Sequence, residues 1–437
     1  MTRRFLVALI LSGVLCAADH LKPLTIIHTN DLHARLTPMA DGRSGFAHLA
    51  TAIRKEKEGC AHCIVLNCGD LVQGTPVSSL YKGIPVFEIA NYLGFDAATL
   101  GNHEFDYGHS FVRDYLRIAR YPIVSANIVD GDGKLFLVKP YTILTAGGLR
   151  VAVVGAMTTE LYRLQIPSVL GNIRATPVSE AVKRYLPEVR AKSDVVILLG
   201  HLSPEDEEDV RLNLQEVQVL IGGHIHAGLK ELAHFGQQWQ ARVQANGVEL
   251  GRLDLQVDPA RKRVVSASWK RIPVDSRTFP ADPVVAKLVA EWEGKVTAMM
   301  DVPIGEAKRT LQKADLKRMI ERALCEQMGA DLAFMGYGGI RDILPQGTIL
   351  VRHIWNIFPF DNVVVMGKFR GSRLPPTVTQ GKQIDPQKEY TLATNEFAAA
   401  NQSSPRELNT SGLEFPITGP LQRDLLIEWV KKVKVIE

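Results

Sequence analysis

Five cysteines among 437 residues are too few to build a disulfide-framed scaffold. Net charge is only +4, from 51 basic and 47 acidic residues, and no long basic run is present. That balance argues against a dedicated nucleic-acid binder. Internal repeats and low-complexity tracts are lacking. After residue 15 no apolar run is long enough to span a ~30 Å hydrocarbon core. What is present is globular: 46% hydrophobic and 22% charged residues. This composition excludes a disordered, collagen-like or coiled-coil chain. The length predicts a large domain plus a smaller one.

Met1-Thr2-Arg3-Arg4 is a short basic start. Residues 5–15 form an apolar run, and Cys16-Ala17-Ala18 supplies small residues at cleavage spacing. This three-part pattern predicts a signal peptide over 1–18 and a periplasmic or secreted product. The Arg3-Arg4 pair is also compatible with twin-arginine export. Cys16 would leave with the signal. In an oxidising compartment Cys60 and Cys63 could pair, although Cys-Ala-His-Cys also looks like half a zinc site without its second half. Cys68 lies in an apolar run and reads as a small core residue.

Short apolar runs at 24–28, 64–67, 97–100, 151–154, 195–199 and 219–221 are bounded by Gly or polar residues, as buried strands are. Helical patterns lie between several of them, at 45–57, 85–93, 110–119 and 178–191. Alternation of this kind predicts an α/β layered domain with its site at the C-terminal strand ends. Asp258 to Lys262 reads as a hairpin turn closing that domain. A long helix is expected at 281–300 and another at 313–328. The predicted division is a signal at 1–18, a catalytic domain at 24–258, a closing hairpin and linker helix at 259–300, and a smaller domain at 301–437.

The strand ends carry the chemistry. Asp31 and His33 follow the first strand at i, i+2, a spacing that points both side chains one way on extended backbone. Gly69-Asp70 ends the second and Asn102-His103 follows the third. The 151–154 run offers nothing. His201 follows the fifth, and His224 and His226 follow the sixth behind two glycines that permit close backbone approach. Carboxylate, imidazole and amide oxygen suit zinc, manganese or ferrous iron. Seven ligands with one bridging carboxylate make two divalent sites, which would clamp a phosphoryl group and supply a hydroxide nucleophile.

In Ile27-His28-Thr29-Asn30-Asp31-Leu32-His33, Gly69-Asp70-Leu71-Val72-Gln73-Gly74, Gly101-Asn102-His103-Glu104-Phe105-Asp106 and Gly222-Gly223-His224-Ile225-His226, the chain resembles the exported bacterial 5′-nucleotidase family. That family lies within the calcineurin-like metallophosphoesterases. The resemblance implies a four-layer αββα sandwich with a smaller α+β C-terminal substrate domain. It places Asp31, His33 and His226 on one metal, Asn102, His201 and His224 on the other, and Asp70 between them. His103 would stabilise the transition state or protonate the leaving oxygen. Asp106 would orient His103, the other reading of Asp106 being a helix N-cap. Gly338-Gly339-Ile340-Arg341 and Phe358-Pro359-Phe360-Asp361-Asn362 match the family's C-terminal domain. Arg341, Asn102 and Phe360 would then contact substrate, with a surface ion pair as the other reading of Arg341.

Three departures bear on substrate choice. Gly336 stands where the family has Asn. Asn401-Gln402-Ser403-Ser404-Pro405 replaces a glycine-rich stretch ending in a base-stacking aromatic. The segment 371–391 is shortened where the family carries its other stacking ring. The expectation is an exported enzyme that hydrolyses nucleotide phosphate esters by metal-bound hydroxide. Alternatives on the same centre are a UDP-sugar diphosphatase, a 2′,3′-cyclic-nucleotide phosphodiesterase or a thiosulfohydrolase-like enzyme. Outside enzymes, the alternative is a metal-retaining binding protein. The resemblance also implies that the linker helix lets the C-terminal domain rotate.

Overall fold

The structure, a computed structural model, describes residues 20–400 and 408–437. The expected signal peptide and the 401–405 stretch lie outside the described residues. The chain divides into two compact units. One runs up to Val72 and continues over Ile84–Val289; the other comprises Gln73–Gly83 and Ala290–Glu437.

The strands of the first unit are β1 (Lys22–Thr29), β2 (Cys63–Asn67), β3 (Ala97–Thr99), β4 (Ile123–Val124), β5 (Ile128–Val129), β6 (Tyr141–Ala146) and β7 (Leu149–Met157). They continue with β8 (Arg174–Ala175), β9 (Val195–His201), β10 (Val219–Gly223), β11 (Ala233–Phe235), β12 (Gln238–Ala241), β13 (Glu249–Asp258) and β14 (Arg263–Pro273). Two six-stranded sheets result, ordered β14-β13-β1-β2-β3-β4 and β11-β12-β10-β9-β7-β6. β1, β2, β3 and β4 run parallel to their neighbours in that series, while β13 returns antiparallel to β1.

Alternate residues of both sheets face one shared core. Leu24, Ile26, Ile64 and Leu66 meet Val151, Val153, Ile197, Leu199 and Ile221 there. The opposite face of β7 and β9 (Ala152, Val154, Val196, Leu198) packs on Val178, Val182, Leu186, Val189 and Val210 of the flanking helices. The helix Phe46–Glu58 packs on β13 from the other side. Helix, sheet, sheet and helix thus form the four expected layers. Strands covered on both faces must read as continuous apolar runs, which is why they stand out in the sequence.

One expectation needs adjusting. The pattern at 178–191 is two helices, Val178–Lys183 and Leu186–Lys192, because Pro187 cannot continue the first and suits the opening turn of the second. The two units meet in sequence within the helix Pro283–Met300. The hairpin at Asp258 forms as expected, joining β13 to β14. Cys60 and Cys63 form a disulfide, and Cys68 is a buried free thiol in the inter-sheet core.

The second unit is α+β. One sheet joins Gly347–Leu350, Pro303–Ala307 and Val435–Ile436; the other joins Leu332–Ala333, Glu389–Asn395, Val363–Arg370 and Ile417–Leu421. The helix Lys313–Met328, ended by Gly329 in the left-handed region, packs its Leu316, Ile320 and Leu324 with Leu426, Trp429 and Val430 of the helix Gln422–Val433.

Candidate metal centre

The site sits where β1, β2, β3, β9 and β10 end. Its backbone is not what a pleat would give. Asp31 (φ 52°), His33 (φ 47°), Asp70 (φ 53°) and His224 (φ 72°) all lie in the left-handed region. Asp31 and His33 therefore share a side through a tight turn after β1, not through extended alternation, which corrects the expectation from spacing. Such conformations cost on the order of 1–3 kcal/mol each and persist where the surroundings over-determine them. Here the turn is laced to the next loop: Asp31 N donates to Gly69 O (3.1 Å), His33 N to Asp70 O (2.9 Å) and Ala34 N to Leu71 O (2.7 Å). Gly101 is required as well, because a Cβ there would meet Asp70 Oδ1 at 2.0 Å. A Cβ on Gly223 would meet Cys68 O at 2.5 Å.

One ligating atom each from Asp31, His33, Asp70 and His226 lies within 4.8 Å of the others. His33 Nε2 and His226 Nε2 stand 3.0 Å apart. A second group centres on Asn102 Oδ1, with His224 Nδ1 at 3.0 Å and His201 Nε2 at 3.1 Å. Asp70 lies between the groups. Its Oδ1 accepts from His103 N (2.9 Å), while Oδ2 is buried and accepts no well-aligned hydrogen bond. Around that oxygen stand His201 Nε2 at 3.2 Å, His103 Nε2 at 3.9 Å and His33 Nε2 at 4.0 Å. Asp31 and His201 are fully buried and Asp70 nearly so, whereas His226 is the outermost, its side chain 41% exposed.

A buried carboxylate oxygen without a donor is costly unless a cation takes its place. The imidazoles are set for that role. His201 Nδ1 faces Cys68 O at 2.8 Å, and since a carbonyl only accepts, Nδ1 carries a proton and Nε2 is the nitrogen turned inward. Metal-binding histidines are usually fixed in this way. Without a cation these groups compete for protons instead. Burial, reinforced by the Asp70 charge, pushes Asp31 up to about 6. Burial would lower His201, but Asp70 and Asp31 drive it up to about 10. Burial would likewise raise Asp70, but His201 and His103 hold it well below the usual carboxylate range. Burial and His201 together press His224 down to about 3.

His103 projects beside this cluster from the 3₁₀ turn Asn102–Phe105. Its Nδ1 pairs with Asp106 Oδ2 at 2.7 Å. Asp106 is no helix N-cap, since Gly108 occupies that position for His109–Ile118.

Two residues of the site were missed in the sequence. Glu104 is buried and accepts from Gly101 N (2.5 Å), Asp70 N (3.0 Å), Leu71 N (2.8 Å) and Val72 N (3.3 Å). One carboxylate thus gathers both loops, and a Glu directly after Asn-His was the available signal. Burial and the Asp70 charge raise it to about 7. Gln165 is the second. The end of β7 supplies nothing directly, but the chain returns eight residues after Met157, and Gln165 Nε2 donates to Asp106 Oδ1 (2.6 Å) and Asn102 O (2.8 Å). No local pattern marks it.

Arg341 and Phe360 belong to the second unit. The Arg341 guanidinium lies over the Phe360 ring, 5.8 Å from its centroid. Arg341 N donates to Ile357 O at 3.0 Å. Gly336 precedes the short turn Tyr337–Gly339 in extended conformation.

Comparison with known proteins agrees with this architecture. The family model for calcineurin-like phosphoesterases matches residues 24–228, and that for the 5′-nucleotidase C-terminal domain matches residues 294–379. Protein UshA of Yersinia enterocolitica is 25% identical over 95% of this chain and 92% of its own. The fold is shared with a 5′-nucleotidase precursor of Thermus thermophilus (TM-score 0.83, 22% identity, 95% and 97% of the two chains). It is shared equally with the sulfate thiohydrolase SoxB of Thermus thermophilus (TM-score 0.82, 17% identity, 94% of each chain). The chain belongs to the bacterial 5′-nucleotidase family of calcineurin-like metallophosphoesterases and is a metal-dependent phosphoester hydrolase.

Proposed function

We propose that the chain is an exported enzyme with a dinuclear metal centre that hydrolyses nucleotide 5′-phosphate esters. The observation that carries the centre is Asp70 Oδ2, buried without a hydrogen-bond donor between two groups of ligating atoms. Asp31, His33 and His226 would hold one cation, Asn102, His201 and His224 the other, and Asp70 both. The mixed carboxylate, imidazole and amide set fits manganese, zinc or iron. Cations held there offset phosphoryl charge and acidify water at neutral pH.

The protein's own groups do the rest. His103 gives a proton to the leaving oxygen from Nε2, and Asp106 fixes the tautomer by accepting from Nδ1. Asn102 contacts the phosphate. Arg341 and Phe360 recognise the substrate, the guanidinium as a fork for anionic or hydroxyl oxygens. Export is supported by the signal pattern at 1–18 and by the Cys60–Cys63 disulfide, which suits an oxidising compartment. No helix of the described residues is long and apolar enough to cross a membrane.

A second reading keeps the centre and changes the substrate to a UDP-sugar, a 2′,3′-cyclic nucleotide or a thiosulfonate. What favours it is the fate of the aromatic side chains. Phe369 is buried, and Phe415 and Tyr390, both partly buried, pack against the same cluster. Base stacking contributes on the order of 1–3 kcal/mol per base where it is present.

The test is hydrolysis with manganese, zinc or no added metal, read as phosphate from AMP, UMP from UDP-glucose, the AMP monoester from 2′,3′-cyclic AMP and p-nitrophenol from bis(p-nitrophenyl) phosphate. Metal-dependent release from AMP above the others is expected. Hydrolysis of the generic diester alone would overturn the nucleotidase reading and leave the phosphoesterase.

A further inference from the structure

We propose that Gln165 is a positioning residue for proton donation, fixing which oxygen of Asp106 meets His103. The inference rests on the reading of His103 as the proton donor. Gln165 is 4% exposed, and its amide nitrogen has two hydrogens with two acceptors. One goes to Asp106 Oδ1 at 2.6 Å and the other to Asn102 O at 2.8 Å. Asp106 Oδ2 is then the oxygen that accepts from His103 Nδ1, at 2.7 Å.

The geometry has a direct consequence. A carboxylate on a short side chain can rotate and offer either oxygen, or turn to water. With Oδ1 held by the amide, rotation stops and Oδ2 stays aimed at the imidazole. The same amide grips the carbonyl at the start of the turn that carries His103. Carboxylate, imidazole and turn therefore move as one body.

Gln165 is itself well anchored. It follows the short helix Leu161–Leu164. At the root of that segment Thr158 Oγ1 donates to Asp206 Oδ2 (2.7 Å), Thr159 N to the same oxygen (2.9 Å) and Thr159 Oγ1 to Asp206 Oδ1 (2.7 Å). Leu161 is fully buried. A side chain meant only to fill space would need neither the amide nor this anchorage. The fourth strand end thus serves the site at one remove.

The test exploits leaving-group chemistry. Phenolate and nucleoside alkoxide need a proton to leave, and p-nitrophenolate does not. Gln165→Leu keeps size and removes the donor. Its kcat should fall about 10–100-fold on AMP and phenyl phosphate. On p-nitrophenyl phosphate it should change by less than about threefold, with bound metal and KM unchanged. His103→Asn is the control and should show the same selectivity more strongly. If His103→Asn loses equally on all substrates, the proton-donor reading fails. If it is selective and Gln165→Leu is not, the present inference fails. Because phenyl phosphate carries no base, the outcome is independent of nucleotide preference. In the Asp106→Asn background, Gln165→Leu should cost much less than in the wild type, since it acts mainly through Asp106; a fully additive loss would overturn the inference. Should Gln165→Leu not fold, Gln165→Met is unbranched and carries the same comparison.

Discussion

Asp70 and Arg341 are held in opposite ways. Asp70 is 1% exposed, on left-handed backbone, with its main chain gripped by Glu104 and a glycine opposite that admits no side chain. Arg341 is partly exposed beside a three-residue turn, with its guanidinium over the ring of Phe360. The first arrangement holds an atom from several sides. The second holds a long, partly exposed side chain against a ring. Dividing the work this way suits a hydrolase: phosphoryl chemistry demands fixed geometry, whereas choice of leaving group tolerates variation.

If that contrast is right, the first unit should fail abruptly. Asp70→Asn keeps the shape and removes the buried charge. Activity should fall at least about a thousandfold, because several kcal/mol of charge stabilisation is lost. Bound metal should fall with it, measured by elemental analysis of the dialysed protein. Full activity with bound metal retained would break the comparison.

The next effect is on pH. Without cations His201 is raised to about 10 and Asp31 to about 6, so both carry protons near or below neutral pH. A cation must displace those protons. Affinity should therefore rise with pH, by up to about tenfold per unit for each proton released. Calorimetry at about pH 6 and pH 8, in buffers of different ionisation enthalpy, reads both the affinity and the proton count. Affinity independent of pH would mean that these groups are not ligands.

Glu104→Gln is a smaller perturbation. A carboxylate accepts from four backbone N–H groups here. An amide has one acceptor oxygen, and its NH₂ would face two donors. The loss should be about 1–3 kcal/mol of stability and about tenfold in metal affinity. Thermal unfolding with and without manganese separates the two effects.

The same contrast explains what the sequence disclosed. Asp31, Asp70, Asn102, His201 and His224 were legible because each lies at or within three residues of the end of a strand buried on both faces, and such strands are short, apolar and bounded. Their joint orientation was not legible: the i, i+2 argument assumed a pleat, and the chain adopts left-handed turns instead. Glu104 was hidden among its neighbours because a carboxylate that serves backbone donors looks like any other. Gln165 was invisible because the contact joins residues 59 positions apart through a loop. The helix at 178–191 was overrun because an amphipathic pattern continues through Pro187 even though a single helix cannot.

The second unit gives the gentlest test. Arg341→Ala should raise KM for AMP about threefold to tenfold and leave kcat within about threefold, since it removes binding common to ground and transition states. Arg341→Lys should recover little of this, because an ammonium lacks the planar fork. The informative comparison is phenyl phosphate. If its KM is unchanged, Arg341 reads the nucleoside, and the second unit selects by what lies beyond the phosphate. If phenyl phosphate suffers equally, Arg341 reads the phosphate itself, and the division of labour between the two units dissolves. If neither moves, the guanidinium belongs to a surface contact with Phe360, and the selecting group of this unit is another side chain.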